Sequence, residues 1–185
     1  SWHKITPENS IQIQFDLGVD MMVCFDDCPP NNFSKKELKI AVGRTIAWAK
    51  RCRTEYDKQI KIRGLKDNPP LLFGVIQGGP YFDLRRYCLN ELVKIGFDGY
   101  GFGGSPIDAK GNLQKDLLKS IAGLIPENSL RFALGIGTPA DICQCASFGC
   151  DMFDCVIPTR EGRHGRLFIK NKVKNKLFYN TININ

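Results

Sequence analysis

The stretch Pro69–Gly104, PPLLFGVIQGGPYFDLRRYCLNELVKIGFDGYGFGG, decides the fold. Leu71 to Ile76 is a short apolar run without alternation, as expected of a strand covered on both faces. Gln77-Gly78-Gly79 interrupts it, and Leu84, Cys88, Leu92 and Ile95 then recur at helical spacing. Tyr100 to Phe102 is a second apolar run, closed by Gly103-Gly104. A strand, a helix and another strand in this order predict a parallel pair joined by a helical crossover.

The same pattern extends in both directions. Upstream, Thr6-Pro7-Glu8 has the cap, proline and early acid of a helix start, and Gly18 is a stop. Met21 to Phe25 is a compact strand. Ser34-x-x-Glu37 is a capping box, followed by Leu38, Ala41, Val42, Thr45, Ala49 and Cys52 at helical spacing. A polar loop then leads to Pro69-Pro70.

Downstream, a helix carries Leu113, Leu117, Ile121 and Leu124, and Leu130 to Ile136 form a fourth strand. Thr138-Pro139-Ala140-Asp141 opens another helix, and Met152 to Ile157 are the fifth strand. From Gly165 to Asn185, Leu167, Ile169 and Val173 alternate with basic residues and predict a hairpin. Five such units fit an open doubly wound sheet or a (βα)-barrel. No G-x-G-x-x-G follows the first strand, which removes the main support for a dinucleotide fold. A complete barrel needs eight strands and about 250 residues, against 185 here. The expectation is an α/β chain holding about five βα units of a (βα)8 TIM barrel plus a C-terminal β-hairpin.

A 43% apolar and 24% charged composition is that of an ordinary globular protein. No run approaches the ~20 apolar residues of a membrane span, and no signal-peptide pattern opens the chain. The eight cysteines raise the question of disulfides, but Cys24 and Cys155 lie inside apolar runs and read as small buried hydrophobes. Cys143-x-Cys145 is the only close pair, and on a helix its members point apart. Reduced thiols and a cytoplasmic location are expected, with a zinc pair the weaker alternative. The net charge of +7 is uneven. Arg160, Arg163, Arg166, Lys170, Lys172, Lys174 and Lys176 stand against the single acid Glu161, which favours a polyanionic partner over a merely solvated face.

Each strand ends in polar or glycine residues: Asp26-Asp27-Cys28, Gln77-Gly78-Gly79, Gly103-Gly104, Gly135-Ile136-Gly137, and Asp154 with Pro158-Thr159-Arg160. The carboxyl edge of parallel strands is where active sites collect. Bland readings remain open. Asp26 or Asp27 can bind loop amides, Gln77 can be structural, Gly135 and Gly137 can be a tight turn, and Asp151 can cap its strand. Asp154, deeper in an apolar run, is costlier to bury without a use.

In this order, the motifs FDDC (Phe25–Cys28), FGVIQGG (Phe73–Gly79), GYGFGG (Gly99–Gly104), GIGTPAD (Gly135–Asp141) and DMFDCVIPTR (Asp151–Arg160) resemble those of tRNA-guanine transglycosylases, over nearly the whole chain. The resemblance implies exchange of guanine at the anticodon wobble position of tRNA for a 7-deazaguanine, in queuosine biosynthesis. Asp154 would be the nucleophile on the anomeric carbon, forming a ribosyl ester through an oxocarbenium-like transition state. Asp26, an acceptor-only carboxylate, would take the donor edge of guanine, Gln77 would offer both donor and acceptor, and Gly104 would let the backbone approach the ring.

The resemblance further assigns tRNA contacts to Gly135, Ile136, Gly137, Thr138, Pro139, Ala140 and Asp141. It does the same for Thr159, Arg160, Glu161, Gly162 and Arg163. Cys28 matches the bacterial form of the base pocket, whereas Ser105-Pro106-Ile107-Asp108 depart from the usual continuation after the glycine pair. The family's general-base aspartate is expected upstream of Ser1. Its structural zinc module is expected beyond Asn185, so no cofactor is assigned to residues 1–185, and the chain reads as part of a homodimeric enzyme's catalytic domain. Two other readings compete: a 7-deazaguanine transglycosylase acting on DNA, and a non-catalytic RNA-binding barrel subunit. Asp154, Asp26 and Gln77 together favour an enzyme.

Overall fold

The computed structural model describes residues 4–30, 32–108, 110–171 and 178–184. Lys172, Val173, Lys174 and Lys176 of the basic hairpin lie outside them. Five strands, β1 (Met21–Val23), β2 (Leu71–Ile76), β3 (Gly99–Phe102), β4 (Leu130–Leu134) and β5 (Met152–Asp154), pair in parallel in chain order. A doubly wound sheet reverses its strand order at a switch point. This sheet does not reverse, and it curls as a partial (βα)-barrel. Helices α1 (Pro7–Asp16), α2 (Lys35–Arg63), α3 (Phe82–Ile95), α4 (Lys115–Ala122) and α5 (Pro139–Ser147) connect or precede the strands. A short helix α6 (Ile157–Arg163) leads to an antiparallel hairpin of β6 (Arg166–Lys170) and β7 (Tyr179–Asn183). Among the described residues no helix is long and apolar enough to cross a membrane.

The expected helix starts are present. The Thr6 side chain accepts from Asn9 N–H, and Ser34 and Glu37 form a reciprocal capping box. Four boundaries differ from the sequence reading. The apolar stripe of α2 ends at Cys52, yet the helix runs on to Arg63 because its inward face turns polar rather than outward. Glu55 is buried there, accepting from Gln12 (2.8 Å) and Gln59 (2.7 Å), and Tyr56 donates its hydroxyl to Pro70 O. β1 and β4 stop short of Phe25 and Ile136, where the chain leaves the ladder to form the rim. β5 likewise ends at Asp154, and the residues expected to extend it toward Ile157 instead enter α6.

The two faces of the sheet differ. Met22, Leu72, Ile76, Tyr100, Phe102 and Ala133 pack outward against the helices in one core with Leu38, Val42, Leu89, Leu92, Leu118 and Ile121. The register places Val23, Phe73 and Gly99, then Val75, Gly101 and Phe132, on the inner face. β3 is the narrow strand of that face. A Cβ at Gly99 would overlap the Phe73 ring, one at Gly101 would lie 3.0 Å from Leu134 Cδ1, and one at Gly103 would lie 2.5 Å from Val75 Cγ1. The absent side chains let neighbouring strands' residues lean across β3.

Gly99→Ala is therefore expected to destabilise the protein by about 1–3 kcal/mol through overpacking. Gly43, exposed inside α2 with nothing within 4 Å of a built Cβ, is the opposite case. Gly43→Ala should stabilise by about 0.5–1 kcal/mol through helix propensity. Denaturant midpoints of the two variants check both signs.

Candidate active site

The rim is assembled where β-strands hand over to helices. Beyond β1, Asp26 accepts a 2.6 Å hydrogen bond from Gln77 Nε2, which comes from the end of β2. Gln77 is 2% exposed, whereas Asp26 is half-buried. Burial raises the Asp26 carboxyl above the ordinary aspartate range, helped by the neighbouring charge of Asp27 and opposed by the Gln77 hydrogen bond. The adjacent acids separate as two-residue alternation demands. Asp27 turns to Arg44 at 2.5 Å, while its N–H donates to Thr45 Oγ1 at 3.0 Å. Asp27 is thus held by α2. Cys28 is exposed beside it, on a hollow also lined by Pro30, Phe33 and Arg44.

Gln77 is fitted against the next strand's end. A Cβ on Gly103 would lie 2.6 Å from Gln77 Nε2, and one on Gly104 3.4 Å from Gln77 Oε1. Gly104 also has φ +76°, which disfavours any side chain. The loop after it brings Pro106 to the turn after β4, 3.7 Å from a Cβ built on Gly135. The Gly135 N–H in turn donates to Asp154 Oδ1 at 3.0 Å. Asp26, Gln77 and the Gly103–Gly104 turn therefore lie together, and the loop through Pro106 leads to the neighbourhood of Gly135, which holds Asp154.

Asp154 itself is exposed, contrary to the burial expected from its apolar neighbours. It ends β5, the last strand of the sheet, so no further parallel strand of the described residues covers it. Asp151 accepts from Arg131 N–H at 2.8 Å, tying β5 to the start of β4, as expected of a strand cap. Cys155 is only half-buried rather than a core residue; its Sγ lies where a Cβ on Gly137 would stand.

The residues expected to meet RNA divide into supports and surfaces. Ile136 and Gly137 are buried. Thr138 and Asp141 cap α5 reciprocally, Thr138 Oγ1 donating to Asp141 Oδ2 (2.6 Å) and accepting from Asp141 N–H (3.2 Å). Gly135 is exposed, and Pro139 and Ala140 are partly so. Thr159, Arg160, Gly162 and Arg163 are exposed on α6. Glu161 bridges Arg166 at 2.8 Å and Arg160 at 3.6 Å, so Arg163 is the arginine of this helix without an ion pair among the described residues.

Sequence reading missed Arg85. It lies fully buried on α3, donating Nε to Gly79 O (2.7 Å), Nη1 to Ile76 O (2.9 Å) and Nη2 to Gly103 O (2.9 Å). The signal was available: Leu84, Arg85, Cys88, Leu89 and Leu92 form one buried helical face, and an arginine inside an apolar face calls for acceptors. No three His, Cys, Asp or Glu among the described residues converge on a metal position. Cys143 is exposed and Cys145 is in the core, so these two do not form the zinc pair weighed earlier.

Asp26 gives a pH test. With its carboxyl raised in the folded state, its contribution to stability is full below the unfolded value of 3.8 and is lost as pH rises through the folded value. Asp26→Asn removes that loss, and the amide can still accept from Gln77. The variant should melt above the parent at pH 7, with the gap closing near pH 4. A gap that is independent of pH refutes the assignment.

The family model described as Queuine tRNA-ribosyltransferase matches residues 1–185. A Queuine tRNA-ribosyltransferase of Aliivibrio salmonicida is 43% identical over 88% of this chain and 41% of its own length. Its namesake from Halothermothrix orenii is 39% identical over 91% and 43%, and that of Buchnera aphidicola is 38% identical over 97% and 48%. The chain thus spans less than half the length of these relatives. With the match running over every strand and every rim motif, the chain belongs to the queuine tRNA-ribosyltransferase family.

Proposed function

We propose that the protein to which residues 1–185 belong is a pentosyltransferase that exchanges guanine at the wobble position of tRNA for a 7-deazaguanine. The observation that carries this reading is the Asp26–Gln77 pair, joined through the glycine turns to an exposed Asp154 on the same rim. Asp154 Oδ1 is occupied by the Gly135 N–H, and Oδ2 is the oxygen assigned to chemistry.

In this reading Oδ2 attacks the anomeric carbon of the target ribose. The bond from that carbon to the ring nitrogen breaks, and guanine leaves with the electron pair and takes up a proton. The hydrogen bond from Gly135 orients the carboxylate and disperses its charge as the ester forms. The incoming deazaguanine then gives up its ring proton and forms the new carbon–nitrogen bond, restoring the Asp154 carboxylate. Asp26 accepts from the ring N–H and exocyclic amine of either base, and Gln77 braces it. Gly104 leaves the backbone open to the ring edge, and Cys28 lines the entrance.

The polynucleotide crosses the α5 start and α6, where Gly135, Thr138–Asp141 and Thr159–Arg163 lie, and continues to the basic hairpin. The full-length enzyme then works on tRNA in the cytoplasm, as a homodimer, with its structural zinc outside residues 1–185.

In the full-length protein, Asp154→Asn should abolish exchange of labelled guanine into tRNA, by a factor of at least about 10³, while tRNA still binds. Asp154→Glu keeps the charge but displaces it, and should also fail. Asp151→Asn should retain exchange and lose at most about 0.5–1.5 kcal/mol of stability. The reverse pattern would show the nucleophile to be misassigned. Exchange into duplex DNA rather than tRNA would favour the DNA-directed reading.

Arg163→Ala should weaken tRNA binding and reduce the slope of log affinity against log salt by roughly 0.7–0.9, the value for one lost phosphate contact. An unchanged slope would remove Arg163 from the RNA surface.

A further inference from the structure

We infer that Arg85 is a positioning residue for base recognition, holding Gln77 and the Gly103–Gly104 turn at the spacing one nucleobase needs. The inference rests on the base-exchange reading above and extends it to a residue outside the pocket lining.

Arg85 lies beneath the proposed base site, on the helix side of the sheet, where it is 0% exposed. Its three hydrogen bonds reach both sides of Gln77 in the chain and the strand alongside. Ile76 O precedes Gln77 and Gly79 O follows it, while Gly103 O belongs to the end of β3. One planar, rigid group thus spans the two strand ends that would carry the base-reading side chain and the base-facing turn. The fit is tight on every side. A Cβ on Gly78 would lie 2.7 Å from Arg85 N and 2.8 Å from its Cγ, and one on Gly104 would lie 3.7 Å from Nη2. The Phe102 ring closes the guanidinium's face at 3.7 Å from its centroid.

No carboxylate pairs with this cation among the described residues, and burial lowers its pKa to about 9. A purely structural interior position would be served by an apolar side chain without that cost. The carbonyls explain the choice. Gly79 O and Gly103 O lie beyond the last ladder bond, where the guanidinium supplies the donor that no following strand residue provides, and Ile76 O accepts from it in addition to Gly103 N–H. The same bonds fix the distance from Gln77 to the Gly104 backbone, so small displacements of the guanidinium pass directly to both.

The test uses the full-length protein and steady-state exchange of radiolabelled guanine into tRNA. Arg85→Lys retains charge and stem but cannot reach three carbonyls. Phe102→Leu leaves the three bonds and removes only the ring. Leu89→Val, on the same buried helix face and away from the rim, controls for lost stability. Arg85→Lys should raise KM for guanine at least tenfold with a smaller change in kcat, Phe102→Leu should raise it about threefold, and Leu89→Val should leave it unaltered. If Arg85→Lys does not fold, the Phe102→Leu KM decides. An unchanged guanine KM in the folded variants, or an equal rise in Leu89→Val, overturns the inference while leaving the exchange activity standing. Wild-type protein that exchanges no guanine overturns both.

Discussion

A parallel sheet that ends at a rim leaves carbonyls beyond its last ladder bond, and here one buried guanidinium answers two of them, Gly79 O and Gly103 O, while adding a second donor to Ile76 O, which already accepts from Gly103 N–H. Each unsatisfied buried carbonyl costs about 1–3 kcal/mol. Arg85 meets those of Gly79 and Gly103 and shares Ile76 O with the Gly103 N–H, so α3 is tied to the ends of both β2 and β3. The cost of burying the cation appears as its lowered pKa. It is offset by three oriented carbonyl dipoles and the face of Phe102. The neighbouring glycines have separate causes: a side chain at Gly78 would strike the Arg85 backbone and Cγ, one at Gly103 would strike Val75 and Gln77, and Gly104 has φ +76°.

The inner face obeys a second steric rule. Where β3 crosses between β2 and β4 it presents only glycines, at 99, 101 and 103, so that Phe73, Val75, Gln77 and Leu134 close over it. The alternate residues Tyr100 and Phe102 are large and face the helices. A strand reading glycine–aromatic–glycine–aromatic therefore encodes two opposite requirements on its two faces, and gives up intrinsic strand propensity to meet them.

The sheet also distributes the acids at its two ends by environment. Asp26 is half-buried against a neutral amide and holds its proton more strongly than an ordinary aspartate. Asp27, one residue on, faces a guanidinium. Asp151 and Asp154, three residues apart, accept from backbone amides at opposite ends of β4. Four carboxylates of one residue type thus have four distinct neighbours.

Local pattern alone determined the alternation of strands and helices, the capped starts of α1, α2 and α5, and the placement of polar residues after each apolar run. Those features depend on neighbours within a few residues, where period and cap chemistry are explicit. The placement of Asp26, Gln77, Gly104 and Asp154 at or near strand ends was legible for the same reason, although β1 and β5 end earlier than their apolar runs. Tertiary structure decided what depends on distant partners. It chose a sequentially ordered sheet over a doubly wound one, because strand order is a matter of pairing between segments. It extended α2 by three turns past its apolar stripe, where buried Glu55 accepts from Gln12 of α1 and from Gln59. It exposed Asp154, because burial depends on which strand lies beside it. And it buried Arg85, because an arginine's place in a core is set by acceptors that lie on other elements.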